Sequence, residues 1–412
     1  MAAGTKAEIA APVRELAESR GVRECLQWVT REKQWINERH LQLCRIPAPT
    51  FLEQKRAEWM AERFTALGCQ SEIDRAGNVL ARLGPDDGSP LVALSAHLDT
   101  VLAPRSRDDI VVDPDGTFRG PGVSDNGAGL AALLAIARAM KSSPPLEGAG
   151  AALLLVANVG EEGEGNLSGM RYLAGQSPLA PRIGSYLVLD GPMLDHITTQ
   201  ALASRRFEVL FTGPGGHSWS DYGNPTPVHA LSHAIAWFTD QCPNPAPNGS
   251  PPRASVNFGT LEGGVSINSI PAMARAKVDL RSQESQAIDD LAALLAQAVE
   301  RGLDLENRRS NGARLTAKIK EIGSRPGGQL PEDAPILALL RSVDTYLGIR
   351  SRLHLASTDA NIPLSLGIPS LSIGAGGQGG GAHTPAEWFH PEGRDLGLRR
   401  ILLTLAMLLN QG

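Results

Sequence analysis

The chain has 412 residues, a length that suggests two or three domains and is ample for a sizeable core without disulfide or metal staples. Hydrophobic residues at 42% and charged residues at 20% exclude a mostly disordered chain. With aromatics at 4% and a formal charge of -5, it has neither a base-stacking platform nor a basic footprint, so no nucleic-acid partner is expected. In chain order, apolar residues at helical spacing predict helices over Cys25–Leu43 and Thr50–Leu67, separated by Pro47 and Pro49. From Ser71 the pattern changes to short apolar runs. Asn78–Leu83, Leu91–Ala96, Ala151–Ala157 and Tyr186–Leu189 read as strands buried on both faces, with a small-residue helix over Gly127–Met140. This alternation predicts an α/β fold, a mixed and mostly parallel sheet flanked by helices.

After Asp190 the character shifts. Phe207–Phe211 (strand), Pro227–Phe238 (helix), Ala254–Thr260 and Ala272–Arg281 (strands), Ser285–Arg301 (helix) and Arg314–Ile322 (strand) follow in turn, with a Pro/Asn/Gly loop over Cys242–Pro252. That order fits a small α+β unit resembling a ferredoxin-like fold. The α/β pattern resumes from Pro335, with a strand at Leu371–Ile373 and a closing helix at Gly397–Leu409. The expected organisation is a discontinuous α/β domain, 1–205 and 324–412, carrying an inserted lid over 206–323.

Cys25, Cys44, Cys69 and Cys242 form no C-x-x-C pair, which reads as reduced thiols. The opening MAAGTKAEIAAPVREL lacks the apolar stretch of a secretory signal, and the most apolar run, Ala151–Ala157, falls far short of the ~18 residues a bilayer requires. A cytoplasmic protein without a membrane partner is expected, which makes Asn166-Leu-Ser168 and Asn248-Gly-Ser250 chance glycosylation matches.

Metal-binding residue types gather at the carboxyl ends of the predicted strands, where open α/β sheets place ligands. His97 and Asp99 follow one strand and point to the same side, a pairing in which the acid can orient a metal-binding imidazole, though alone it also suits a surface pair. Asp125 lies in Gly122-Val-Ser-Asp125-Asn-Gly-Ala-Gly129, where Asp125 or Asn126 could simply cap the helix. Glu161 and Glu162 end another strand, either as a solvated acidic loop or as adjacent carboxylates whose desolvation calls for cations. Asp190 closes a fourth strand, and His383 follows the Gly-rich run 374–381. Two imidazoles and several carboxylates suffice for two divalent ions. Nitrogen and oxygen ligands without thiolates favour zinc, with cobalt or manganese as substitutes.

The order of SAHLDTV, GVSDNGAG, NVGEEGEG, VLDGP and GGGAHTPAEW resembles the dinuclear zinc peptidase family that includes peptidase T, carnosinase, aminoacylase and glutamate carboxypeptidase. The resemblance implies that His97 and Asp190 hold one zinc, Glu162 and His383 the other, and Asp125 bridges them. It further implies that Asp99 supports His97 and that Glu161 is the general base. His217, in Gly215-Gly-His217-Ser218, resembles the lid histidine that helps bind the substrate carbonyl, often across a dimer. Asn268 and Arg281 resemble lid groups for the substrate's polar end. Asp190, where the family's deacylases usually carry Glu, and Ser357-Thr-Asp-Ala-Asn361 look like peptidase T, although Ser124 and Asn126 replace the Asp and Lys common beside the bridging acid. The expectation is a homodimeric dizinc aminopeptidase for tripeptides or dipeptides. A deacylase of N-acyl amino acids and a catalytically silent metal-dependent binding protein are the alternatives; the presence of Glu161 argues against the latter.

Overall fold

The computed structural model describes residues 6–84, 88–143, 149–242 and 254–410. It divides into two compact units, Met1–Ala201 with Gly328–Gly412, and Leu202–Gly327. The divisions fall a few residues outside the expected 205/206 and 323/324. Strands Ala203–Thr212 and Thr316–Arg325 of the second unit pair from Ser204↔Arg325 onward, so the ends of both strands stay with their own sheet.

In the first unit, strands Ala152–Asn158, Leu91–His97, Ile183–Leu189 and Ser370–Ile373 lie side by side and parallel. Every residue of Leu91–His97 and Ala152–Asn158 is buried, which explains their unbroken apolar runs. Toward one edge the sheet turns antiparallel through Val79–Leu83 and Gln70–Ile73. Toward the other it does so through His196–Ala201 and Gly328–Gln329, with Arg352–Ala356 parallel to His196–Ala201. Helix Gly127–Lys141 packs on Leu91–His97 and Ala152–Asn158. Its Ala-rich face permits close approach, while Leu130, Leu133, Leu134 and Ile136 are fully buried, each contributing about 1.5–3 kcal/mol.

The expected single helix Cys25–Leu43 is two helices, Arg20–Arg31 and Lys33–Cys44, with the break at Glu32. The break lets Trp28 and Trp35 meet edge-on at 5.6 Å around Arg138, where a straight helix would separate them by about 10 Å along its axis. The next helix begins at Gln54 instead of Thr50. Residues 49–52 form a turn closed by the Leu52 N–H on the Pro49 carbonyl, and the Thr50 hydroxyl is engaged elsewhere, on Asp99. A second, small antiparallel sheet of Gln378–Gly380, Trp388–His390, Phe118–Arg119 and Val111–Val112 has strands too short and glycine-rich to show a period in the sequence.

In the second unit, the order strand, helix, strand, strand, helix, strand builds one antiparallel sheet. Ala254–Gly263, Met273–Ser282, Ala203–Thr212 and Thr316–Arg325 lie in that spatial order. Met273–Ser282 alternates strictly, and its buried Ala274, Ala276, Val278 and Leu280 form one core with residues of helices Pro227–Gln241 and Ser285–Arg308. Apart from Cys242, the predicted loop 242–252, with Asn248, lies outside the described residues up to 253. No helix among the described residues is long and apolar enough to cross a membrane.

Candidate functional site

Because Ala152–Asn158, Leu91–His97 and Ile183–Leu189 are parallel neighbours, the segments that follow them emerge together at one end of the sheet. His97 and Asp99, Glu161 and Glu162, and Asp190 are therefore gathered by topology, at the end where open α/β sheets bind ligands.

His97 is buried. Its Nδ1 donates to the main-chain carbonyl of Asp99 at 2.9 Å, with Asp99 Oδ1 at 3.5 Å, and its Nε2 lies 3.0 Å from Asp125 Oδ1. Burial by itself would push this imidazole down, but its bonds with Asp125 and Asp99 hold it well above the usual histidine value. The second oxygen of Asp125 lies 3.0 Å from His383 Nε2, and the same nitrogen is 2.8 Å from Glu162 Oε1. Bonds to these two carboxylates raise His383 to about 10. Burial opposes ionisation of Asp125, yet the two imidazoles hold its carboxyl below the usual carboxylate range. Asp190 behaves differently. Burial, reinforced by the Asp125 and Glu162 carboxylates, pushes it up to about 7.

Asp99 is fully committed. Its Oδ1 accepts the Glu161 N–H at 3.0 Å, and its Oδ2 accepts the Glu162 N–H at 2.8 Å and the Thr50 hydroxyl at 2.9 Å. It can orient His97 and the acidic turn but has little left to give a cation. The turn itself begins at Gly160, whose φ of +65° and closeness to Ser168 Oγ, 2.2 Å from where a Cβ would sit, leave no room for a side chain. Glu161 and Glu162 are 5% and 6% exposed, so they are not a solvated acidic loop. The helix cap is Asn126: its side chain accepts the Gly129 N–H and donates to the Leu189 carbonyl, leaving the Asp125 carboxylate for other work.

A metal fits this donor set. His97, Asp125 and Glu162 each offer a ligand atom within 4.8 Å of the others, and His383 Nε2 joins two of them. The clustered acids include one, Asp190, whose ionisation is opposed by its own neighbours, a condition that divalent cations relieve.

His217, Asn268 and Arg281 belong to the second unit. His217 Nδ1 accepts the N–H groups of Trp219 and Ser220, at 3.2 and 3.4 Å, which leaves Nε2 to carry the ring proton. The Asn268 side chain accepts from Ser266 Oγ at 2.6 Å, and Arg281 Nε donates to Asp279 at 2.6 Å.

Sequence reasoning missed the groups that hold the site's loops in place. Glu387 accepts three main-chain N–H groups from the loop bearing Asp125. Glu53 accepts the Gly160 N–H at 3.1 Å, and the Asn158 side chain donates to Asp359 at 2.6 Å. Glu387 was within reach of the sequence, four residues after His383 inside the same motif. Asp359 lies in Ser357-Thr-Asp-Ala-Asn361, a segment the sequence set apart without giving this residue a role, whereas Glu53 had no such signal.

A family model described as "Peptidase family M20/M25/M40" matches residues 93–406. A protein of Aspergillus terreus named as a probable carboxypeptidase is 29% identical over 266 residues, which is 59% of this chain and 59% of that protein. The chain thus spans less than two thirds of the length of the curated relatives it first matches. Among solved structures, a tripeptidase of Staphylococcus aureus superposes with a TM-score of 0.72 at 18% identity, covering 92% of this chain and 99% of that one. A di-peptidase of Saccharomyces cerevisiae gives 0.71 at 14% identity, covering 96% and 99%. At those identities the two structures show a shared fold.

Proposed function

The chain belongs to peptidase family M20/M25/M40, and from that premise we propose that it hydrolyses amide bonds of short peptides with two divalent metal ions, zinc foremost, as a tripeptide or dipeptide aminopeptidase. The observation that carries this reading is the placement of Asp125, one carboxylate oxygen against His97 and the other against His383. In this assignment His97 and Asp190 would hold one ion, Glu162 and His383 would hold the second, and Asp125 would serve both. When bound, the ions supply Lewis-acid chemistry at the scissile carbonyl.

The chain's own residues perform the remaining steps. Asp99 fixes the tautomer of His97 by engaging Nδ1, keeping Nε2 for the ion. Glu161, buried at the strand end beside Glu162, accepts the proton of the attacking water and returns it to the leaving amine. His217, with its proton on Nε2, donates to the developing oxyanion. Asn268 and Arg281 read the polar end of the substrate. The protein acts as a homodimer through the second unit, whose exposed Trp219, Tyr222, Val265 and Ile267 support that reading. Four unpaired cysteines, three of them buried, support a reducing, cytoplasmic setting.

A panel of tripeptides tests the assignment: unblocked, N-acetylated, C-amidated, and N-acyl amino acids. Fast cleavage of the unblocked form with slow cleavage of the N-acetylated form is expected. Preference for N-acyl substrates would move the protein to deacylases. Cleavage that tolerates N-acetylation but not C-amidation would place it with the carboxypeptidase-named relatives.

A further inference from the structure

Glu387 ends the segment that carries His383 and immediately precedes strand Trp388–His390. It is 3% exposed, and its side chain bonds to one loop. Oε2 accepts the Gly122 N–H at 2.8 Å, and Oε1 accepts those of Ser124 at 2.8 Å and Asp125 at 2.9 Å. Its main-chain carbonyl accepts the Gly120 N–H at 3.1 Å. Four hydrogen bonds to Glu387 thus bind residues 120–125 to the segment 383–387. They add to the short antiparallel pairing of Trp388–His390 with Phe118–Arg119 just outside. An ionised acceptor taking several amide N–H groups makes short, directional bonds, and here they end on the peptide unit of the residue whose two oxygens face His97 and His383.

We propose that Glu387 is a positioning residue that sets the spacing of the two metal positions, by locking the main chain of Asp125 to the segment bearing His383. In this reading it acts through Asp125 and not as a ligand, since its oxygens accept three N–H groups of that residue's loop. The inference rests on the dinuclear reading above. It adds that the distance between the ions is governed from outside the ligand set, by a residue whose loss should affect the binding of the second ion more than that of the first.

The test titrates Co²⁺ into metal-free wild type, E387Q, E387D and D344N, following visible absorption, chelator competition and thermal midpoint. Hydrogen exchange of the metal-free proteins is followed in parallel. D344N serves as the control for general loosening, since Asp344 pairs with Arg400 away from the described ligands. E387Q replaces one acceptor with a donor facing an N–H. Its second Co²⁺ should bind about 10–100-fold more weakly with an altered spectrum, and the Gly122, Ser124 and Asp125 amides should exchange faster. E387D, which keeps both oxygens on a shorter stem, should fall between. The proposal is overturned if E387Q binds its second ion as wild type does. It is equally overturned if D344N at a similar loss of thermal midpoint weakens that ion as much. Wild type binding fewer than two ions would instead defeat the dinuclear reading, while faster exchange of the three amides in metal-free E387Q would still show the lock.

Discussion

Glu161 and Glu162 show how much a single residue's surroundings decide. Their N–H groups divide between the two oxygens of Asp99, a residue brought in from another strand, and Glu162 places an oxygen on His383. The sequence left a solvated loop and a pair of buried acids equally open, because their burial depends on Asp99 and Thr50, which lie some distance along the chain. The proposed division of labour predicts opposite signatures. Glu161→Gln should lower kcat by at least ~10²-fold, the lower range for loss of a general base, with metal content near that of wild type. Glu162→Gln should lose metal together with activity. Metal analysis and single-turnover rates on the purified variants check this, and a dead but fully metallated Glu162→Gln beside an active Glu161→Gln would reverse the roles.

At the scale of elements, helix Lys33–Cys44 reaches the Asp125 loop through His40. This fully buried imidazole donates from Nε2 to the Val123 carbonyl at 2.8 Å and accepts at Nδ1 from Arg394 at 2.7 Å. Burial and the charge of Arg394 hold it well below the usual histidine value. A folded-state value under the unfolded one means that this contribution is whole above about pH 6.5 and falls away beneath it, by about 1.4 kcal/mol per pH unit, because only the unfolded chain then takes up the proton. Urea unfolding at pH 7.5 and 5.5 should therefore show a smaller loss for His40→Gln than for wild type, and equal losses would remove His40 as the source. A second junction joins helices Pro335–Leu347 and Arg394–Leu409, where Arg400 donates twice to Asp344 at 2.6 Å, both groups being buried. Arg400→Ala should cost roughly 3–5 kcal/mol by stranding a buried carboxylate, whereas replacing both partners with leucine should cost far less. Chemical denaturation of the single and double variants separates these outcomes. Strand periodicity revealed the large sheet well, but neither His40–Arg394 nor Arg400–Asp344 leaves a local pattern, since their partners are 354 and 56 residues apart.

For the whole molecule, family membership extends across both units, because residues 93–406 include the entire second unit. Unit two has the size and strand order of one α+β sandwich, with Ala254–Gly263 as an edge strand. The proposed dimer with His217 acting in the partner's site predicts that His217→Ala lowers kcat by about 10²–10³-fold, the effect of losing one oxyanion donor, without displacing metal. It also predicts that mixing His217→Ala with Glu161→Gln restores activity after subunit exchange, because one site of each mixed dimer would combine both intact groups. A verified heterodimer without recovery would assign His217 to its own chain's site.

The sequence by itself determined the α/β class and the element order of the inserted α+β unit, and it offered candidate metal-binding residues, because each of these leaves a local trace: hydrophobic period, element order, and polar residues directly after apolar strands. Tertiary structure alone decided which alternative each polar residue took. Asn126, not Asp125, caps its helix. His97 and Asp99 are buried. Thr50 turns to Asp99 in place of starting a helix, and Glu387 grips a loop 262 to 265 residues away. Those choices depend on hydrogen-bond partners and desolvation set by chain segments that meet only once the parallel strands lie side by side.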